Sequence, residues 1–164
     1  MRIKKAIFMI GSIGSGKSYY ILKHLRGYKI LDSDKIKLTL KGYNPCRPDL
    51  IHKESKTILE REFKKCIKQS KSFIYDGTGC NSERLLYRID KARARGFKIY
   101  LYYIVCSLKT ALIRNKSRDR QVPEDIIIDK YKVIDYSFKI VSPYCDFIKV
   151  INNDKQDQTR ECIK

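Results

Sequence analysis

GSIGSGKS, Gly11–Ser18, follows the apolar run Ala6-Ile7-Phe8-Met9-Ile10. A short continuous apolar run reads as a buried strand, and Lys17–Arg26, closed by Gly27, reads as a helix. Between them the sequence meets the pattern G-x-x-x-x-G-K-[ST] at Gly11, Gly16, Lys17 and Ser18. Each residue type has a task there. Glycines let the backbone curl so that successive N–H groups face phosphate oxygens. The following helix aims its positive end at the same spot. A lysine reaches the β- and γ-phosphates, and a serine hydroxyl holds Mg²⁺. A plain Gly/Ser turn is the competing reading, but a strand before and a helix after are what phosphate binding requires. Gly11, Ser12, Gly14, Ser15, Gly16, Lys17, Ser18 and Tyr19 form the expected nucleotide-binding set, with ATP and Mg²⁺ as cofactors and Ser18 as the metal ligand.

Strand and helix patterns alternate along the remaining chain. Further strands are expected at Tyr28–Leu31, Ser72–Tyr75, Lys98–Val105 and Phe147–Ile151. Helices are expected at Lys35–Lys41, Asp49–Ser70, Ser82–Arg95 and Leu108–Arg114, with another opened by Pro123 at its first position. Ile51, Ile58, Leu59, Phe63, Cys66 and Ile67 share one face of the longest. Asn44–Pro48 reads as a loop. The alternation predicts an α/β fold, a three-layer α/β/α sandwich around a mostly parallel five-stranded sheet. Residues 1–153 form one domain with an arginine-bearing lid at about 114–122, and 154–164 form a polar tail.

In such sheets ligands bind at the carboxyl ends of strands. Here those ends carry Asp32 and Asp34, then Asp76 and Thr78, then Arg114-Asn115-Lys116-Ser117-Arg118-Asp119-Arg120. Phosphoryl transfer needs such parts. A carboxylate accepts the proton of an attacking hydroxyl, and arginines neutralise charge on the migrating group. One of Asp32 and Asp34 is expected to cap a helix and the other to act as the base.

Lys and Arg total 36 against 18 acids, for a formal charge of +18. That charge draws polyanions, although a chain this rich in Lys, Ile and Tyr also fits an AT-rich genome. No apolar run approaches the roughly 18 residues of a membrane span. The basic start at Met1–Lys5 lacks a cleavage site. Six cysteines without a C-x-x-C pair, and two histidines, do not suggest zinc. Reduced thiols in a cytoplasmic compartment are the expectation.

The chain resembles the P-loop kinases that group phage-type polynucleotide 5′-hydroxyl kinases with zeta-toxin-like kinases, the AAA_33-type group, over about residues 3–153. The resemblance rests on GSIGSGKS, on LDSDKIK at Leu31–Lys37, on FIYDGTG at Phe73–Gly79, and on RNKSRDRQVP at Arg114–Pro123, with GFKIYLYYI at Gly96–Ile104. It implies Asp34 as general base and Lys37 as a binder of substrate phosphate, where the polynucleotide kinases usually have arginine. It implies Arg118 as the lid arginine on the transferring phosphate, Arg114 near the adenine, and Asp76 as the acid ending the third strand. Lys17, Asp34 and Arg118 are thus the expected catalytic residues, and Lys37, Asp76, Thr78 and Arg120 the expected acceptor-binding ones.

The acceptor remains open between the two branches. DGT at Asp76–Thr78 and VPEDII at Val122–Ile127 suit the zeta-like kinases, which phosphorylate a sugar nucleotide. Between Ser82 and Arg120 eleven Lys/Arg face three acids, a net of +8, which favours the 5′-hydroxyl of a nucleic acid. Tyr100, Tyr102 and Tyr103 could stack on bases, but a central strand makes core packing the simpler role for some of them. A nucleotide-binding ATPase or switch often carries a further acid beside the strand-three aspartate; here Gly77 follows Asp76.

Overall fold

The computed structural model describes residues 3–44, 47, 50–118 and 120–154. The expected loop at 45, 46 and 48, the residues Asp49 and Asp119, and the tail from 155 lie outside these residues, as do Met1, Arg2, Cys46 and Cys162. Along the chain run β1 (Lys5–Ile10), α1 (Lys17–His24), β2 (Lys29–Asp32), α2 (Ser33–Leu38), α3 (His52–Lys68), β3 (Phe73–Asp76), α4 (Ser82–Arg93), β4 (Lys98–Val105), α5 (Leu108–Lys116), α6 (Glu124–Val141) and β5 (Phe147–Asn152). The strands form one sheet in the order β2-β3-β1-β4-β5. Every pairing is parallel, so the expected mostly parallel sheet is wholly so.

Register decides which side chains face which layer, because alternate residues of a strand point to opposite faces. Ala6 pairs with Phe73 and Ile99, and Phe8 with Tyr75 and Leu101. These residues share the larger core with Leu59 and Phe63 of α3, Leu85 and Ile89 of α4, and Ile134 and Val141 of α6. Phe63 meets Phe73 edge-on at 5.6 Å between ring centres, and Phe8 meets Phe73 in the same way at 6.1 Å. The opposite face carries Ile7, Met9, Ile74 and Ile104, packed against Ile21 of α1. Arg88 of α4, 8% exposed, joins α3 through a 2.9 Å contact with Glu60 and lies over the Tyr75 ring at 4.6 Å.

Local chemistry sets the element ends. The helix expected at Lys35–Lys41 starts earlier, at Ser33, because the Asp32 carboxylate accepts the N–H groups of Asp34 (2.8 Å) and Lys35 (3.3 Å). Pro123 takes the cap position before α6 (φ −51°, ψ 137°) and not the first helical one, so α6 begins at Glu124. A 3-10 turn at Ser142–Tyr144, absent from the sequence reading, leads toward β5. Asn81 caps α4, its side-chain oxygen accepting the Arg84 N–H at 2.7 Å. Asn81→Ala is expected to cost about 1 kcal/mol in urea unfolding; an unchanged midpoint would show that solvent replaces the cap.

Among the described residues no helix is long and apolar enough to cross a membrane. Cys66, Cys80, Cys106 and Cys145 are free thiols.

Candidate active site

The glycine loop joins β1 to α1 at the carboxyl edge of the sheet. Gly16 has φ 93°, a backbone region that favours glycine, and a Cβ there would overlap the Asn153 amide. Gly14 has φ 84°, and its Cβ would lie 2.6 Å from the Ala111 carbonyl oxygen. Larger residues would therefore reshape the loop. The Gly11 N–H donates to the Thr78 carbonyl at 3.1 Å, which ties the loop to the end of β3.

Three groups line this cradle. Lys17 Nζ donates to the carbonyls of Gly11 and Ser12, both at 2.8 Å. Burial lowers its pKa; the Asp76 carboxylate opposes that shift, and the charge of Arg118 adds to it. Ser18 Oγ donates to Asp76 Oδ2 at 3.3 Å. Ser15 Oγ is buried without a partner among the described residues. An unmet buried hydroxyl costs about 1–3 kcal/mol, and a phosphate oxygen would meet it.

Asp76 and Asp32 are register partners on β3 and β2. Burial pushes the Asp76 carboxyl up to about 6, and the Asp32 charge acts the same way, whereas Lys17 and the Ser18 hydroxyl pull it down. Among the described residues no cluster of three or more His, Cys, Asp and Glu converges on one point. A hydroxyl with one or two carboxylates is nonetheless the hard oxygen set that suits Mg²⁺, which takes its other ligands from phosphates and water. Ser18 and Asp76 fit that role.

Across the cleft stands Asp34. It lies in the first turn of α2, just past the end of β2. Since β2 lies two strands from β1, the lateral span from loop to carboxylate is about 10 Å. Lys37 Nζ, 7% exposed, donates to Asp34 Oδ1 at 2.9 Å, and Arg120 lies 4.0 Å from the same oxygen. Burial alone would raise the Asp34 carboxyl. The Lys37 hydrogen bond and the charges of Lys37, Arg120 and Lys130 overcome that and hold it low. Of the pair of which one was expected to cap a helix, Asp32 is the cap.

A cationic basin surrounds Asp34. His52 is shifted down by desolvation and by the charges of Lys56 and Lys37; Lys56 is shifted down by desolvation and by Arg84, Lys37 and Lys130. These groups come from α2, α3, α4 and α6, so the fold gathers cations that the sequence disperses.

The lid spans both sides. Arg114 donates to the Gly14 carbonyl at 3.3 Å and to the Asn153 carbonyl at 2.7 Å. Arg118 is exposed, its charge reaching Lys17, and Arg120 reaches Asp34. At the lid's base Asn115, 2% exposed, is bonded twice to Val122: Nδ2 donates to its carbonyl at 2.8 Å, and Oδ1 accepts its N–H at 3.0 Å. Tyr19 lies on the outer surface of α1, 43% exposed, with Lys23 Nζ 5.7 Å from its ring centre.

The sequence reading missed Asn153. This residue directly follows β5 and is 7% exposed; its Nδ2 donates to the Ser15 carbonyl at 2.8 Å, and its N–H donates to the Val105 carbonyl at 2.8 Å. Its position at the carboxyl end of a parallel strand was the one available signal.

A family model described as AAA domain, AAA_33, matches residues 7–135. No curated protein matches the chain significantly. The structure of AvrRxo1-ORF1:AvrRxo1-ORF2 with sulphate ions aligns at TM-score 0.73 and 15% identity, over 90% of this chain and 55% of that one. The PezAT chromosomal toxin–antitoxin system of Streptococcus pneumoniae aligns at TM-score 0.71 and 14% identity, over 93% and 69%. Shikimate kinase from Acinetobacter baumannii in complex with shikimate aligns at TM-score 0.57 and 18% identity, over 98% and 96%. This chain thus spans 55% of the length of the first and nearly all of the last. These likenesses establish the P-loop kinase fold.

Proposed function

Because this chain belongs to the AAA_33 family, we propose that it is an ATP-dependent kinase that transfers the γ-phosphoryl group to a hydroxyl, with the 5′-hydroxyl of a polynucleotide as the favoured acceptor. One observation carries the reading. A single lid segment hydrogen-bonds the glycine loop through Arg114 and reaches the Asp34 carboxylate through Arg120, so nucleotide cradle and candidate base face one cleft.

The roles follow from charge and reach. The loop and Lys17 hold the triphosphate tail. Asp34 accepts the acceptor hydroxyl's proton as its oxygen attacks the γ-phosphorus. Lys17 and Arg118 offset the negative charge that spreads over the migrating group. Ser18 and Asp76 would hold Mg²⁺, which supplies Lewis-acid charge beside the β- and γ-phosphates when bound.

The basin around Asp34 supports an acceptor with phosphate beside its reacting hydroxyl. Lys56 is opposed there by Arg84, Lys37 and Lys130, and an anion would relieve that repulsion. A polynucleotide end meets this requirement and suits the chain's charge of +18; a sugar nucleotide meets it with its diphosphate. The free thiols and the lack of a membrane-crossing helix among the described residues are compatible with a cytoplasmic site of action.

Labelled ATP with Mg²⁺ and a panel of 5′-hydroxyl RNA, 5′-hydroxyl DNA, UDP-N-acetylglucosamine and nucleosides tests the choice. Label on oligonucleotides is expected; label on the sugar nucleotide alone overturns it. Arg118→Ala is expected to lower kcat about 100-fold with little change in ATP affinity. The reverse pattern would make Arg118 a ground-state binder.

A further inference from the structure

Only one of the three tyrosines in β4 is spent on the large core. Tyr103 is 8% exposed and donates to Asp135 of α6. Tyr100 and Tyr102 point to the other face, where register places Phe147 opposite Tyr100 and Lys149 opposite Tyr102. The rings of Tyr100 and Phe147 lie 5.3 Å apart, those of Tyr102 and Phe147 6.1 Å, and Tyr20 of α1 extends the row at 5.9 Å from Tyr102. Lys5 Nζ stands 5.1 Å from the centre of Tyr100, and Lys149 Nζ 5.9 Å from that of Tyr20.

Among the described residues, the apolar cluster on this part of the sheet draws on α1 and the α1–β2 connection, without α3, α4 or α6. Tyr100 and Tyr102 remain partly exposed, and Phe147 is 44% exposed on β5, the edge strand among the described residues. A half-exposed phenylalanine contiguous with partly exposed tyrosines and rimmed by lysines forms the kind of apolar patch that marks an interaction site.

We infer that the α1-side face of β4 and β5 is a platform for single-stranded nucleic acid, with bases stacking on Phe147, Tyr100 and Tyr102 and phosphates meeting Lys5 and Lys149. Charge selects this occupant. The nearby carboxylate, Asp146, is already met by Arg93 (3.5 Å), Lys98 (3.7 Å) and the Ile99 N–H (2.7 Å). A second copy of the chain would set the same lysines against each other, within a molecule of net charge +18. A polyanion reverses that repulsion, and every base has a face that can stack on an exposed ring. A duplex keeps its bases stacked inside and gains only the charge term. Tyr100 pairs with Ile7, three residues before Ile10 ends β1, so the platform stands about 10 Å back from the glycine loop. The inference goes beyond the kinase reading and does not rest on it.

The test is fluorescence anisotropy with an end-labelled single-stranded 12-mer and the duplex of the same sequence, at moderate salt. Wild type is expected to prefer the single strand. Phe147→Ala is expected to weaken single-strand binding about tenfold, leave duplex binding unchanged and retain the thermal midpoint; Phe147→Tyr is expected to restore it. Lys149→Glu supplies a second reading with the ring row intact and is expected to weaken binding to both. Lys17→Ala is expected to keep the platform affinity, so loss of phosphotransfer and loss of the platform are separable. Equal single-strand binding by wild type and Phe147→Ala would overturn the inference. So would sedimentation showing a wild-type dimer that Phe147→Ala dissolves, because a second copy would then be the occupant.

Discussion

Lys17→Ala is expected to lower phosphotransfer roughly 1,000-fold while the protein still folds. In the resting site the Lys17 ammonium is bound to the carbonyls of Gly11 and Ser12. Burial already disfavours its charge, and the Arg118 guanidinium adds to that. A triphosphate would exchange two neutral acceptors for anionic oxygens, so the interaction strengthens as charge builds on the departing group. Alanine removes that gain together with two loop hydrogen bonds. Label transfer and thermal unfolding, measured on one preparation, check both halves. Near-normal turnover would remove Lys17 from the mechanism and, with it, the assignment of the glycine loop as the working phosphate site.

Asp34→Asn is expected to cut kcat by about 10³–10⁴ with ATP affinity unchanged, as read by isothermal titration. The replacement keeps the shape and still offers Lys37 an oxygen, but an amide cannot take up a proton. The pH profile separates Asp34 from its neighbour. Burial pulls the Asp34 carboxyl upward, yet Lys37 and Arg120 hold it below the ordinary carboxylate range. It therefore stays ionised as the medium is acidified, and the wild-type rate should hold on the base's account down to about pH 4. Asp76 stands at about 6. An acid limb near that value would report Asp76 at the Mg²⁺ position, and near-normal turnover in Asp34→Asn would remove Asp34 as the base.

The sequence made the frame readable because its signals are local. The apolar run at Ala6–Ile10, the glycines after it and the strand–helix alternation each follow from neighbouring residues, and the five strands and their helices lie within a few positions of expectation. The division of labour between Asp32 and Asp34 was legible as a choice, and the structure fills its capping half with Asp32. Long-range placement was not legible. Asn153 touches Ser15 across 138 residues, and the basin around Asp34 draws on four separate helices; no spacing rule connects such positions. Tyr100, Tyr102 and Tyr103 show the same limit, since alternation says that neighbours part ways but not which face a helix will cover. The 3-10 turn at Ser142–Tyr144 carries Pro143, a break signal that fixes no geometry by itself.

The two bonds between Asn115 and Val122 tie the ends of the lid together, with Arg118 and Arg120 between them. Part of the conformational entropy of ordering the segment, about 1–2 kcal/mol per residue, is thus spent before any substrate arrives. If Arg118 and Arg120 serve nucleotide and acceptor as proposed, ordering this segment would bring charge to both at once.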